Sequence, residues 1–502
     1  MFVNTFWSLV PPIVAIGLAL LTKETYSSLF IGIVVGALLA TDFSPIGALD
    51  TIINDGLTAA IADNAGIFLF LVILGVMVAL VNATGGSAAF GRWAASHIHS
   101  KAGALLATFA LGVLIFIDDY FNCLTVGSVM TPVTDSQKIS RVKLAYLIDA
   151  TAAPICMIAP ISSWAAAVSG VAAKLDTGVS GIQLFIEAIP YNFYSLLTIV
   201  FVITMVVLGV DYGPMAAAEL KAAQTGDLGA LSEEQEEGSS RANMWDMLIP
   251  IFLLIIFCVI GLIYVGGFWD PETNAGDFIA AFGDTDAFVG LPWGALIALV
   301  LSIIYLCARR VITFKGAMGC MTKGFNAMVP AILILTFAVS LKSMTGLLGA
   351  ADYVEGLMKQ ASEGLFMLLP AIIFVVACLL AFATGTSWGT FGILIPIVLP
   401  IFNAAPDLQI MGISACLAGA VCGDHCSPIS DTTIMASAGA NCNHIDHVST
   451  QIPYAVTVAA ICFVNYILAA FIRNVVISLA IGVVMVIGTL LVIRSVQSRK
   501  AA

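Results

Sequence analysis

The chain is 502 residues long, 60% hydrophobic and only 10% charged, with a formal net charge of −12. A soluble domain carries about a quarter charged residues, so this chain cannot cover itself with polar surface, and lipid must be the solvent for most of it. The acidic balance excludes nucleic acid and anionic lipid head groups as partners, because both need clustered Lys and Arg.

Apolar runs recur along the chain, and with mildly polar flanks they reach the roughly 17–25 residues that a membrane-crossing helix needs. Ile67–Val81, Leu196–Val210, Met247–Val265, Ala459–Ile472 and Val475–Ile493 are examples. The short alternating segments of a β-barrel are not seen, so the expected fold class is an all-α polytopic membrane protein. No basic region precedes the first apolar stretch, so no cleaved signal peptide is expected. The 11 cysteines lie mostly in apolar segments, where they behave as small hydrophobes rather than a disulfide framework.

The 19 Lys and Arg residues fall into short clusters: Arg92/Lys101, Lys138/Arg141/Lys143, Arg309/Arg310/Lys315/Lys323 and Arg494/Arg499/Lys500. The positive-inside rule places those clusters in the cytoplasm, and it places residues 42–64 and 267–290 outside. One arrangement satisfies nearly all of this. Helices at 6–22, 24–42 and 63–84 run inward, outward and inward. A re-entrant hairpin at 102–135 follows, then an interrupted helix at 143–174 and a helix at 188–210. The second half repeats the series upside down, with helices at 246–266, 292–308 and 325–343, a hairpin at 364–402, an interrupted helix at 411–438 and a helix at 450–471. A final helix at 475–493 leaves the C-terminus inside.

This scheme has about 11 transmembrane helices, counted on the membrane-length rule, with the N-terminus out and the C-terminus in. It leaves only Lys174, Lys342, Lys359 and Arg473 outside. The expected domains are a first inverted repeat (1–210), a cytoplasmic linker (211–243), a second inverted repeat (244–473) and an extra helix with its tail (474–502). Placing Asp118-Asp119-Tyr120 over Thr386-Ser387-Trp388 brings Pro132 onto Pro400, and Ala152–Cys156 falls on Cys426–Ser430. The identities are few; the interruptions falling in the same order carry the weight.

Four stretches interrupt the apolar sequence: Asp118–Asn122, Asp149–Trp164, Thr384–Thr390 and Gly423–Thr433. Polar backbone at membrane depth survives only when buried in protein or lining a cavity. A helix broken there frees carbonyls for a small cation and exposes half-helix N-termini for an anion. Paired breaks in two halves are the best sequence pointer to a transporter's binding site.

Asp118, Asp119, Asp149, Asp424 and Asp431 lie in or beside these segments, where an unpaired charge costs several kcal/mol. No Lys or Arg lies in the second-half breaks, so Asp424 and Asp431 are candidates for neutralisation by Na⁺ or a proton. Competition of the two at one site is a physical basis for exchange. The alternative role is helix capping, which Asp and Ser also serve. The candidate cation site is Thr386, Ser387, Asp424, Ser427, Ser430, Asp431 and Thr432, with Asp424 and Asp431 as metal ligands. Asp118, Asp119, Asn122 and Asp149 form its complementary half, and at least one acid carries the proton. No cofactor is expected; Na⁺ is cargo or coupling ion.

Cys422, His425, Cys426, Cys442, His444 and His447 contain zinc-type ligands, but the first part of the set lies inside a membrane element. His444 and His447 fall on an expected cytoplasmic loop, where they could report pH. Trp164 and Trp388 flank the breaks, as packing residues or as walls for an organic substrate. An intramembrane metalloenzyme would need a pattern such as His-Glu-x-x-His, which is absent.

The segment Gly423-Asp424-His425-Cys426-Ser427-Pro428-Ile429-Ser430-Asp431-Thr432-Thr433, followed by His447 and Thr450–Ala455, resembles the NhaC-type Na⁺/H⁺ antiporter family. Thr386-Ser387-Trp388-Gly389-Thr390 also matches its pattern, whereas His425-Cys426 stands where the better-known antiporters have Lys-Met. The resemblance implies a prokaryotic inner-membrane carrier of the ion-transporter superfamily, with scaffold and mobile transport domains, and a homodimer. It implies Na⁺/H⁺ exchange by alternating access. The family is also similar to sodium-linked malate/lactate exchangers and amino-acid carriers, so Na⁺-coupled transport of a small carboxylate or amino acid is the alternative cargo. A shortage of intramembrane Arg disfavours a dicarboxylate.

Overall fold

The computed structural model describes residues 2–22, 25–86, 89, 93, 97–98, 100–116, 119–159, 162, 164–165, 168, 181–231, 241–350, 352–353, 368–401 and 406–501. Among these residues the elements are helices, and the single bridge, between Ala230 and Cys442, belongs to no strand. The first part of the chain holds α1 (Val10–Thr22), α2 (Thr25–Ala40), α3 (Ala65–Thr84), α4 (Lys101–Leu114), α5 (Asp119–Ser136), α6 (Arg141–Thr151), α7 (Phe193–Leu208) and α8 (Gly213–Thr225). The rest holds α9 (Trp245–Val265), α10 (Ala287–Ala308), α11 (Phe314–Leu347), α12 (Leu369–Thr384), α13 (Ser387–Ile401), α14 (Pro406–Cys426), α15 (Asp431–Gly439), α16 (His444–Ile472) and α17 (Val475–Ala501).

Four spans among the described residues are long and apolar enough to cross a membrane alone: Trp245–Val265, Phe288–Ala308, His444–Ile472 and Val475–Ser498. Bent helix pairs raise the number to 7, among them Leu408–Cys426 with Asp431–Gly439 at 51°. Apolar helices of this kind, which satisfy their own backbone groups in lipid, make the chain a polytopic membrane protein.

The helices pack in two groups. In one, α3 lies against α10 and α11, α9 lies along α10, and α2 packs on α1 and α11. In the other, α12 lies along α14, α5 touches α6 and α15, and α7, α16 and α17 pack together. The groups meet mainly where α11 reaches α15 and α12, and where α1 touches α12. Glycines set the close crossings. A Cβ on Gly324 of α11 would lie 2.3 Å from the Val76 nitrogen of α3, and one on Gly127 of α5 would lie 2.4 Å from Gly439 of α15. Small residues of this kind let membrane helices approach backbone to backbone.

Three segments are more helical than the sequence reading describes. The segment 42–64, which the charge rule places outside, is helical: Pro45–Thr51, a π-helical stretch Ile52–Thr58, then Ala59–Asp63. Ser44 starts it by accepting from the Gly47 N–H at 3.2 Å with Pro45 at the first turn, a favourable pairing of cap and proline. The helix expected at 325–343 runs instead from Phe314 to Leu347, because Thr313 caps it by accepting from Gly316 N–H. The segment 211–243, expected to be a cytoplasmic linker, carries α8. Glu219 of that helix is buried, accepts from the Ser140 N–H and hydroxyl at 2.8 and 2.6 Å, and pairs with Lys101. Beyond α8, Leu228 O accepts from Arg141 N at 2.8 Å and Leu231 N donates to Asn441 O at 3.1 Å. Residues 219–231 are docked onto the ends of α4, α6 and α15.

Candidate functional site

Helix ends meet at one place. Helix α4 ends at Leu114 and α5 starts at Asp119, α6 stops at Thr151, the α12–α13 hairpin turns at Gly385–Thr386, and α14 breaks from α15 across Ser427–Ser430. Each stop has a local cause. Ala152, at ψ −92°, ends α6, and a new short turn Ala153–Cys156 begins with Pro154 near its start, where proline's missing N–H is tolerated. Gly385 ends α12 in the left-handed conformation at φ +63°, the common glycine C-cap. Ser430 starts α15 by accepting from Thr433 N–H at 3.2 Å.

Around the second-half break the polar groups converge. Asp424, 1% exposed, accepts from the Thr432 hydroxyl at 3.0 Å through Oδ2, while its buried Oδ1 receives no hydrogen bond. The Ser387 and Ser430 hydroxyls lie beside the same carboxylate. Ser430 Oγ is also 3.0 Å from the Thr432 hydroxyl. Asp431 accepts from Thr432 N at 2.9 Å and from the Tyr120 hydroxyl, which crosses from α5. Ser427 donates to Phe382 O at 2.8 Å, Ser387 donates to Ala420 O at 3.3 Å, and Thr386 Oγ1 caps α13 by accepting from Gly389 N at 3.3 Å.

The first-half residues close the other side. Asp119 and Asp149 are both fully buried. Asp119 starts α5, accepting from Tyr120 N at 3.1 Å and from Trp164 Nε1 at 3.0 Å. Asp149 Oδ2 accepts from the Thr433 hydroxyl at 3.0 Å and from Gln451 Nε2 at 2.6 Å. Its Oδ1 makes no hydrogen bond, with His425 Nε2 3.5 Å away. Asn122 is a fastener: its amide donates to the carbonyls of Gly112, Ile115 and Thr151 at 2.7, 2.8 and 3.1 Å. That joins the broken end of α4 to the broken end of α6. Asp118 lies outside the described residues.

The structure places Asp424, Thr432, Ser430, Ser387 and Asp431 together at the second-half break, and Asp149 reaches it through Thr433. Asp119 and Asn122 bond within the first half, and Ser427 and Thr386 to nearby backbone groups. The structure adds Tyr120, Thr433 and Gln451 as direct partners of the acids. Of these, Thr433 and Gln451 stood in the family-like motif without a role. No Lys or Arg pairs with Asp424 or Asp149 among the described residues. The Cys/His set does not assemble: no group of three or more His, Cys, Asp or Glu among the described residues is placed to hold a metal ion. His425 instead donates to Asp149 O at 2.7 Å and touches the Tyr194 hydroxyl at 3.1 Å. His444 and His447 are not on a loop, because Asn443 caps α16 ahead of them and His447 is fully buried.

A model of the Na⁺/H⁺ antiporter family matches residues 155–471. A Haemophilus influenzae protein described as "Uncharacterized protein" is 37% identical over 486 residues, which cover 94% of this chain and 92% of that one. The arginine/ornithine antiporter ArcD of Halobacterium salinarum is 26% identical over 239 residues, 47% of this chain and 44% of that protein. The malate-2H⁺/Na⁺-lactate antiporter of Bacillus subtilis is 26% identical over 198 residues, 39% of this chain and 42% of that protein. The last two matches span less than half of each relative. The matched residues include the second-half breaks with Asp424 and Asp431, while Asp119 and Asp149 precede them, and the chain is a secondary transporter that belongs to the Na⁺/H⁺ antiporter family.

Proposed function

We propose that the protein exchanges Na⁺ for H⁺ by alternating access. The observation that carries this reading is the Asp424 carboxylate: buried, hydroxyl-lined, without a Lys or Arg partner among the described residues, and with one oxygen that receives no hydrogen bond. A buried carboxylate left charged and unpaired costs several kcal/mol. A small cation or a proton removes that cost, and oxygen donors of this kind suit a hard cation such as Na⁺. Asp424 and Asp431 hold the ion with Ser427, Ser430, Thr432, Thr386 and Ser387. The proton takes the place of Na⁺ at Asp424, and Asp149, set behind Thr433, is the acid that hands it on.

The two packing groups fit a division into a scaffold (α1–α3 with α9–α11) and a transport unit (α4–α7 with α12–α16), meeting through few helices. Two inverted repeats of residues 1–210 and 244–473, joined by 211–243, account for the matching order of hairpin, interrupted helix and closing helix. The basic clusters set the N-terminus out and the C-terminus in, in a prokaryotic inner membrane. A homodimer completes the proposed assembly.

A second reading keeps the fold and changes the cargo to a small carboxylate or amino acid. Trp388 Nε1 is a buried donor with no acceptor, and the N-termini of α5, α13 and α15 point into the same junction. Two relatives carry names of that kind, an arginine/ornithine antiporter and a malate-2H⁺/Na⁺-lactate antiporter. Na⁺ binding measured calorimetrically on purified protein between pH 6 and 9 separates the readings. Exchange at a shared carboxylate requires the Na⁺ affinity to fall by up to about tenfold per pH unit on the acid side. A Na⁺ affinity independent of pH, tightened by one organic solute, would favour the second reading.

A further inference from the structure

Behind Asp149 lies a chain of polar groups that the ion site does not use. His447 Nε2 is 2.8 Å from Gln451 Oε1 and 3.9 Å from Asp149 Oδ2. His447 Nδ1 is 2.9 Å from the Ser437 hydroxyl, which is 3.0 Å from His444 Nδ1. His444 Nε2 is 2.7 Å from Pro428 O. The chain leads outward, because His444 is half-buried and its neighbours Asn443 and Asp446 are exposed.

The partners fix the tautomers. Pro428 O can only accept, so His444 carries its proton on Nε2. The Gln451 amide donates to Asp149 Oδ2 and His425 O at 2.6 and 2.7 Å, so its oxygen accepts and His447 also carries its proton on Nε2. Both neutral imidazoles therefore present a bare Nδ1 to one hydroxyl. That hydroxyl has a single proton and already lies 2.8 Å from Thr433 O. The hydroxyl can serve only one of these three acceptors at a time, so at least one imidazole Nδ1 is left without a donor.

We propose that His444, Ser437 and His447 form a proton-loading relay that connects Asp149 to the surface at the start of α16. A proton captured at His444 Nδ1 makes an imidazolium. It passes that proton to Ser437 Oγ as the hydroxyl gives its own to His447 Nδ1. The His447 imidazolium then turns its Nε2 proton from Gln451 Oε1 to Asp149 Oδ2, 3.9 Å away, and gives it up, leaving both histidines neutral. One proton has reached Asp149 and His447 now carries its proton on Nδ1, so the ring must turn over before the next transfer. The groups facing the relay are Asp149 of α6, His425 and Asp424 of α14, Asp446 on α16 itself, Cys442, Arg141 through Ala440 O, and Lys221 of α8 beside Asp446.

The relay rests on the proposed proton exchange but has a signature of its own. The chain has 5 histidines, so ¹⁵N-histidine spectra of the purified full chain can follow His444 and His447 separately. The pair should take up one shared proton before either ring takes a second, and Ser437→Ala should uncouple the two titrations while Ser437→Thr restores the coupling. In proteoliposomes Ser437→Ala should slow H⁺ flux relative to ²²Na⁺ equilibrium exchange by roughly 10²-fold, a usual loss for a proton-transfer group. Independent titration of the rings in the native chain, or an unchanged flux ratio in Ser437→Ala, would overturn the relay. A native chain that moves no protons with Na⁺ would instead overturn the antiport reading, and the coupled titration would still decide the relay.

Discussion

The α-carbon of Gly385 sits so close to Ile429 that a Cβ there would lie 2.4 Å from the Ile429 carbonyl oxygen. This contact seats the tip of one hairpin on the break between α14 and α15. Gly385→Ala meets two costs at once: the left-handed backbone, about 1–2 kcal/mol for an L-residue, and a backbone clash that no side-chain motion relieves. The hairpin tip should shift, lowering the melting temperature and cutting transport at least tenfold. Unchanged flux in a stably folded Gly385→Ala protein would show that this seating does not matter to the site.

Thr432→Val removes the hydroxyl that donates to Asp424 at 3.0 Å while keeping the side chain's shape. A hydrogen bond to a charged group contributes about 1.5–3 kcal/mol. Na⁺ affinity in calorimetry should therefore weaken about tenfold or more, with little effect on melting temperature.

Asn122→Ala should have the opposite profile. Its amide satisfies three carbonyls at the ends of α4 and α6, and each unsatisfied buried group costs about 1–3 kcal/mol. The melting temperature of detergent-purified protein should drop, while the pH dependence of the remaining transport keeps its shape.

Asp211 tests the ion pair beneath α6. Burial alone would raise its carboxyl, but the Lys143 ammonium and the Tyr454 hydroxyl outweigh it and hold the group below the ordinary carboxylate range. A lowered carboxylate contributes stability above its unfolded value of about 3.9, and that stability is lost as pH falls through the lower folded value. Stability of the native chain should thus decline below about pH 4. Asp211→Asn leaves Lys143 buried at 1% exposure without its partner, and should cost about 3–5 kcal/mol at neutral pH.

The breaks were legible in the sequence because Gly, Pro and small hydroxyls interrupt otherwise apolar runs, and such residues stop helices for local reasons. The hairpin turn at 385–386 and the break at 427–430 fall inside the stretches so marked, and α5 starts at Asp119 within another. Partners across the chain were not legible. Gln451 meets Asp149 over 302 positions and Tyr120 meets Asp431 over 311, and nothing local to either residue encodes its mate. The docked α8 was hidden by composition, since an acidic, small-residue segment reads as solvated until Glu219 is seen beneath Ser140. His444 and His447 read as a loop because the first turns of α16 are polar, yet Asn443 caps them into helix and burial claims that face.

The most direct test of the account places the purified protein in liposomes with an imposed pH gradient and a pH dye inside, and adds Na⁺, Li⁺, K⁺ and then organic acids and amino acids. The account predicts that Na⁺ alone collapses the gradient and that Asp424→Asn abolishes the response. No response to any cation alone, together with Na⁺-dependent uptake of one organic solute, would contradict it.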